Sequence, residues 1–328
     1  MKQFVVSDSF DPFFNLASET ALFNDDEHRQ TLYLWRNSDV VVIGRFQNPW
    51  KECNIEKMNA DNVALMRRDT GGGAVFHDTE NLCFTFTGFC DESDYRIKNT
   101  ALVCRALFSL GFNAEPSGRN DILLNGAKIS GAAFREKNGK YIHHGTVLIG
   151  TDLTRLANYL NPDPKKLISK GINSVRARVT NLQAFDGNVQ VSDVMNALLC
   201  EAGCADGIES GDVQHKNIDC LATDENVRAE YNRLKSREWR FGKSPEFTHS
   251  VDGRFEQGGI EINLTVKNAL IKDFNVYSDA LDISFVSHTQ NLLETFREKP
   301  YDCEKIAHTF RNAGFENIAE LFFSHIDE

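Results

Sequence analysis

Apolar residues in the stretch NLASETALFND fall at Leu16, Ala17, Ala21, Leu22 and Phe23, a helical spacing that begins after a turn at Asp11-Pro12. Two β-rich runs follow, TLYLW (31–35) and VVVIG (40–44), and the turn-like RNSD between them predicts an antiparallel pair. NPWKECN reads as a loop, 54–61 as a short helix, and VALMRR as a strand that runs into three consecutive glycines, 71–73. NLCFTFTG has the pattern of a buried strand, and KNTALVCRALFSLGF that of a helix closed by Gly111. Asn125-Gly126 and Asn138-Gly139 each separate β-type runs, which predicts a three-stranded meander over 121–150. TDLTRLANYL is a short helix broken by NPDPKKL, and helical pattern returns over 192–206.

The polar stretch 207–246 ends in REWRFGKSPEF, whose Gly242 and Pro245 mark a junction between a domain of residues 1–246 and a smaller one of 247–328. Trp239, Arg240 and Phe241 are expected to pack the two together. In the smaller domain a hairpin turns at Lys267-Asn268, and two or three helical patterns finish the chain. Strands mixed with helices, joined by hairpins rather than strict βαβ units, predict an α+β fold. It would have mixed, mostly antiparallel sheets with flanking helices, plus a small C-terminal α+β domain.

Composition narrows the function. At 328 residues, 41% hydrophobic and 25% charged, the chain has material for a large core. A net charge of -11 argues against a general nucleic-acid or anionic-membrane binder, so any anion site must be local. No apolar run approaches the roughly 18 residues of a membrane span, and the start of the chain lacks the basic and apolar pattern of a targeting segment, so the expected location is cytoplasmic. Eight cysteines without a C-x-x-C pair are expected to be reduced thiols. Cys200 and Cys204 share a helix but have no further ligands for a metal.

The costliest segment is RRDTGGGAVFHD, 67–78, because three successive glycines lose much backbone entropy on ordering. It is neither a P-loop nor a dinucleotide fingerprint. A glycine run at a strand end does let a ligand lie on the main chain and bond to successive N–H groups, and Arg67 and Arg68 supply forks for a carboxylate or phosphate. Further on, SGRNDILLNGAKISGAAF puts Arg119, Asn120, Asp121 and Lys128 around one hairpin, where Asp121 suits Mg2+ or a ribose hydroxyl. Trp35, Val42, Ile43 and Gly72 read first, one by one, as ordinary core packing, and their strand positions also suit the lining of a site for an apolar ligand tail. His77, His143 and His144 invite an acid–base role, but read first as hydrogen-bonded structural histidines.

The blocks FNLASE, WRNSDVVVIGRFQNPWKECN, RRDTGGGAVFHD, SGRNDILLNGAKISGAA, HHGTVLIGTDL and KGINSVRARVTNL, in this order, closely resemble the lipoate-protein ligases, in particular the long bacterial two-domain form in the biotin/lipoyl ligase superfamily. The resemblance covers about residues 5 to 182 and continues more loosely through WRFGKSPEF and the C-terminal domain. It implies an ATP-dependent enzyme that turns lipoate into lipoyl-adenylate, releasing pyrophosphate, and then moves the lipoyl group to one lysine of an acceptor. The implied acceptors are the lipoyl domains of 2-oxoacid dehydrogenase E2 subunits and the glycine-cleavage carrier protein; the implied oligomeric state is a monomer.

The resemblance places nucleotide binding on Arg68, Gly73, Ala74, Val75, Phe76, Asn81, Asn120, Asp121 and Lys128, and lipoate binding on Arg68, Gly71, Gly72, Gly73, His77 and Lys128. Lys128 would be the catalytic group, and Asp121 the protein contact of Mg2+. KGINSVRARVTNL (170–182) would cover the adenylate, hinged at Gly171, with Arg176 or Arg178 near the phosphate. The chain departs from the family pattern at Glu80 and at Asp69. Two rival readings are an acyltransferase that works through a cysteine thioester without ATP, for which Cys53 and Cys83 lie outside the segment facing Lys128, and a non-catalytic ligand sensor, for which no DNA-binding module is evident.

Overall fold

The computed structural model describes residues 2–25, 30–90, 94–118, 120–160, 179–203, 213–243, 246–255, 257–280 and 283–324. Its described residues divide into two compact units, one spanning Met1–Arg45 and Met58–Lys235, the other Phe46–Lys57 and Ser236–Glu328. A twelve-residue excursion, 46–57, therefore joins the C-terminal unit, which local pattern does not reveal.

In the larger unit, eight strands form one mixed sheet: β1 (Lys2–Ser7), β2 (Gln30–Arg36), β6 (Asn81–Phe89), β7 (Ala114–Ser117), β8 (Asp121–Leu124), β9 (Ala127–Lys137), β10 (Lys140–Leu148) and β11 (Val213–Lys216), in the spatial order β11-β1-β2-β6-β10-β9-β8-β7. β1 runs parallel to both β2 and β11, and the other pairs are antiparallel. The expected meander is β8–β9–β10. Asn125 (φ 50°) and Gly126 (φ 79°), like Asn138 (φ 53°) and Gly139 (φ 73°), take the left-handed pair of a tight hairpin, which suits asparagine and glycine.

A second sheet of the same unit has the order β4 (Ala64–Arg67), β3 (Val40–Ile43), β5 (Val75–His77). Here one expectation fails: 31–35 and 40–44 are not a hairpin. Both edges of β2 are taken by β1 and β6, and β3 pairs instead with β4 and β5. The intervening Asn37 is buried and bonded to Asn15 and His77, so the link anchors one sheet to the other rather than turning back.

Strand alternation gives the large sheet two faces. One carries Phe4, Leu32, Leu34, Leu82, Phe84, Phe86 and Val147, which pack with Val103, Leu107, Val194 and Leu198 of helices Tyr95–Ser109 and Val191–Gly203 into the main core. The other carries Val5, Tyr33, Trp35 and Cys83, with Leu22 of helix Pro12–Asn24. That helix starts where Asp11 accepts the N–H groups of Phe13 and Phe14 and proline occupies its first turn. In the smaller unit, β12 (Phe247–Phe255), β13 (Gly258–Lys267) and β14 (Leu270–Ser278) form an antiparallel sheet covered by three terminal helices, with a core including Ile262, Leu264, Phe310 and Phe322. Trp50 from the excursion packs there against Phe241, Phe247 and Tyr301, so Phe241 lies within this unit.

Candidate functional site

The glycine loop joins β4 to β5 across the end of β3. Arg67 is fully buried, and its guanidinium donates to the carbonyls of Gly44 and Arg45, so its fork is used inside the fold. Arg68 is also buried. Its Nε donates to Thr70 Oγ1 at 3.0 Å, its Nη1 to Val42 O at 3.1 Å, and its Nη2 to Gly71 O and Gly73 O at 2.7 and 2.8 Å. Arg68 thus shapes the loop from beneath. Its partners are neutral, and loss of solvation lowers its pKa to about 10, with Glu19 opposing the shift.

Each glycine answers a different demand. Gly72 has φ +96°, and a Cβ on it would stand 2.8 Å from Arg68 Nη2; a Cβ on Gly44 would collide with Gly72 O. At Gly71 and Gly73 a Cβ would meet nothing within 4 Å, and neither φ lies in the left-handed region. The fold itself has no use for glycine at these two positions. They leave bare backbone beside open space.

A buried hydrogen-bond chain ties the loop to the large sheet. Trp35 Nε1 donates to Thr85 Oγ1 at 3.1 Å, and Thr85 donates to Glu19 Oε1 at 2.6 Å. Glu19 also meets His144 Nδ1 at 2.8 Å, while His144 Nε2 lies 2.8 Å from Thr70 Oγ1. A carboxylate only accepts, so His144 carries its proton on Nδ1, Thr70 donates to Nε2, and Arg68 donates to Thr70. Every member of the chain is then satisfied. Both ring nitrogens of His144 are thus engaged inside the protein, with Glu19 and Thr70, two residues that no sequence motif marks. The available signal was a run of polar residues, Asn15, Ser18 and Glu19, inside an otherwise apolar helix.

Asp69 does not face Arg68. It accepts Arg45 at 2.8 Å and Arg233 at 2.7 Å, with Arg135 at 3.7 Å, and so pins the loop to β9 and to helix Glu225–Lys235.

On the β8–β9 hairpin Lys128 pairs with Leu123, and a register shift between Ile122 and Leu123 leaves Ile129 as the extra residue of β9. Lys128 Nζ lies 2.7 Å from Asp121 Oδ1, and both side chains are half-buried. Gly131 makes this possible, because a Cβ there would come within 2.9 Å of Nζ. Val179 pairs alongside Lys128, with Thr180 N donating to Lys128 O at 2.9 Å. Gly171, Arg176 and Arg178, like Arg119 and Cys204, lie outside the described residues.

The other sequence-derived positions separate into two groups. Asn81 is wholly buried at the start of β6, and the side chain of His77 is buried too; among the described residues neither Asn81 amide atom nor His77 Nε2 has a hydrogen-bond partner. These are polar atoms that await a partner. By contrast, Asn120 donates to Ala132 O at 2.9 Å, and the ring of Phe76 is buried against Tyr159, with the Arg155 guanidinium 5.1 Å from its centroid. Ala74 and Val75 are half-buried, Val75 pairing with Val42. Of the expected apolar lining, Trp35, Val42 and Ile43 are all buried.

The thiols need one correction. Register places Cys83 opposite Thr146, and Thr146 opposite Gly131, so Cys83 shares the sheet face that leads to Lys128. It is buried, and burial and Glu19 push its pKa well up, so it is a protonated thiol rather than a nucleophile. Cys53 belongs to the smaller unit and is buried there. Among the described residues no group of three or more histidine, cysteine, aspartate or glutamate side chains is placed to hold a metal ion, and no helix is long and apolar enough to cross a membrane.

With this geometry in hand, comparison with known proteins is decisive at the family level. Residues 11–203 match the family model of the lipoyl protein ligase A/B catalytic domain, and 244–326 that of the bacterial lipoate protein ligase C-terminus. Similar solved structures include Plasmodium falciparum LipL1 in complex with lipoate, at 29% identity over 98% of both chains and TM-score 0.65. A bipartite lipoate protein ligase with its E2 lipoyl domain from the archaeon Thermoplasma acidophilum matches at 26% identity over 74% of this chain and 97% of that one, TM-score 0.64. A lipoate-protein ligase A bound with ATP matches at 26% identity over 74% of this chain and all of that one, 100%, TM-score 0.62. The chain belongs to the lipoyl protein ligase A/B family, a family of enzymes, and pairs its catalytic domain with the C-terminal domain of the bacterial lipoate protein ligases.

Proposed function

We propose that this protein is an ATP-dependent lipoate-protein ligase, with catalysis in the larger unit and the smaller one as an accessory domain. The observation that carries the reading is the bare backbone at Gly71 and Gly73, glycine where the fold needs none, in a loop that the buried Arg68 holds in shape. The ATP-bound relative supports a nucleotide, and the lipoate-bound relative the acid.

In the first step a lipoate carboxylate oxygen bonds to the α-phosphorus of ATP, and the bond from that phosphorus to the bridging oxygen breaks, releasing pyrophosphate. An anion approaches an anion, so the enzyme's task is positive charge where negative charge accumulates. Lys128 supplies it and must exchange Asp121 for the substrate's oxygens; the N–H groups of Gly73, Ala74 and Val75 add oriented dipoles. The amide of Asn81, buried without a partner among the described residues, suits the polar edge of the nucleotide. Mg2+ would arrive with the phosphates, and Asp121 is the one carboxylate we assign to it.

In the second step the neutral amine of an acceptor lysine attacks the acyl carbon and AMP leaves; proximity supplies much of the rate. The archaeal relative's E2 lipoyl domain makes lipoyl domains the first acceptor class, and the glycine-cleavage carrier protein is the second. The reading places the enzyme in the cytoplasm as a monomer, where the seven free cysteines of the described residues stay reduced. The thioester route is disfavoured by the protonated, buried Cys83.

The test is lipoate-dependent exchange of labelled pyrophosphate into ATP without acceptor, in wild type and Lys128→Ala. Exchange that drops at least about a hundredfold in the variant supports adenylation with Lys128 at the phosphate. Absence of exchange in wild type, with transfer from an octanoyl carrier protein instead, would make the enzyme a transferase.

A further inference from the structure

The orphaned nitrogen of His77 can be assigned its proton from bonds that begin two residues away. Asn15, on helix Pro12–Asn24, donates from Nδ2 to the carbonyl oxygens of Ser9 and Arg36 at 3.0 and 2.7 Å, and to Asn37 Oδ1 at 3.1 Å. Carbonyls only accept, so they settle which end of the Asn15 amide is NH2. Its Oδ1 in turn accepts the hydroxyls of Ser7 and Tyr33. Asn37 Oδ1 must therefore accept, which turns the Asn37 Nδ2 donor toward His77 Nδ1 at 3.2 Å. Burial, Arg68 and His144 push the pKa of His77 down to about 3, so the ring is neutral. With Nδ1 accepting, the single proton sits on Nε2, which is buried and meets no acceptor among the described residues.

The ring packs against apolar, polarisable side chains, with Asn37 at Nδ1 and Arg68 and His144 near enough to act on its charge. The Trp35 indole meets the His77 ring edge-on with centroids 6.4 Å apart, and Cys83 Sγ lies 3.6 Å from Nδ1. Neither Trp35 nor Cys83 carries a charge, and both suit contact with an acyl chain. Sulfur is a weak acceptor of N–H and packs well at aromatic edges. A methyl-terminated chain would exclude water from the same donor and give it nothing in return.

We propose that the His77 Nε2–H distinguishes an acyl chain ending in a cyclic disulfide from a plain alkyl chain of the same length, with Asn15 and Asn37 as positioning residues that hold its tautomer. The assignment rests on the ligase reading and deepens it by giving the site a basis for preferring lipoate over octanoate.

The test has two arms on the full-length enzyme. Nitrogen-15 NMR of histidine-labelled protein, with His77 assigned by its loss in His77→Gln, should show the neutral Nε2–H tautomer from pH 6 to 8. The Nε2 resonance should move on adding lipoate and stay in place with octanoate, and Asn37→Ala should show both tautomers. In pyrophosphate exchange, the ratio of kcat/KM for lipoate over octanoate should fall about fivefold in His77→Asn, which loses the donor, and be largely kept in His77→Gln, whose amide nitrogen replaces Nε2. An Nδ1–H tautomer in wild type, an equal shift with octanoate, a single unchanged tautomer in Asn37→Ala, or an unmoved ratio in a folded His77→Asn would overturn the assignment. Exchange with neither acid in wild type would instead overturn the ligase reading, so the two failures are distinguishable.

Discussion

Adding one methyl group at each of two adjacent glycines should affect stability in opposite directions while damaging the same reaction. At Gly72, alanine must adopt φ +96°, which costs about 1–2 kcal/mol. Its Cβ would stand 2.8 Å from Arg68 Nη2, and displacing that nitrogen weakens bonds to Gly71 O and Gly73 O, each a charge-assisted bond of about 1.5–3 kcal/mol. Allowing for partial relaxation, Gly72→Ala should lose roughly 2–4 kcal/mol of stability. At Gly73 the new methyl meets nothing within 4 Å and the backbone is not left-handed. The unfolded chain loses freedom while the fold loses nothing, so Gly73→Ala should gain about 0.4–1 kcal/mol. If the open ground belongs to substrate, that methyl occupies it, and lipoate-dependent pyrophosphate exchange should fall about a hundredfold, as misplacement near 1 Å commonly costs. Urea unfolding gives the stability change and exchange gives the activity. A Gly73→Ala enzyme that is more stable and fully active would refute the claim that the loop is bare for a ligand.

Two further substitutions probe other parts of the same unit. Gly131→Ala would bring a Cβ within 2.9 Å of Lys128 Nζ, at the movable end of the lysine; stability should change by under about 1 kcal/mol, while kcat/KM for ATP in the exchange assay should fall about tenfold, and unchanged kinetics would show that the lysine need not lie across that glycine. His143 is packed among Phe84, Phe86 and Phe134, and burial lowers its pKa to about 3. The unfolded chain takes up a proton there below about pH 6.5 and the folded one does not, so stability is full above that pH and declines as pH falls from 7 to 5, by about 2 kcal/mol for this one group. His143→Phe should reduce the drop in Tm between pH 7 and 5; an unaltered drop would mean that His143 is protonated in the folded state.

Much of the fold was legible because its signals are local. Asn125-Gly126 and Asn138-Gly139 specify tight turns whatever surrounds them, and Asp11-Pro12 starts a helix through bonds within its own first turn. The pairing of β2 with β3 was misread because strand partners are chosen by free edges elsewhere in the fold; β1 and β6 had already claimed both sides of β2. The parallel strand β11, more than two hundred residues from β1, and the transfer of 46–57 to the smaller unit are long-range choices of the same kind.

For the site, the chemistry-bearing residue types and their order are plain from the amino acids alone: the glycine run, Lys128 and Asp121 on one hairpin, Asn81, His77. What each one does inside the protein follows from the folded arrangement. It turned both arginines onto backbone carbonyls, set Asp69 against three other arginines, and brought Glu19, Thr85 and His144 to Thr70 from separate elements. The physical reason is that a hydrogen bond or ion pair depends on a few tenths of an ångström between groups far apart in the chain, whereas a motif records only which groups are present. The buried donor of His77 shows this most clearly: one histidine at position 77 is all the sequence states, and a path through Asn15 and Asn37 places its proton.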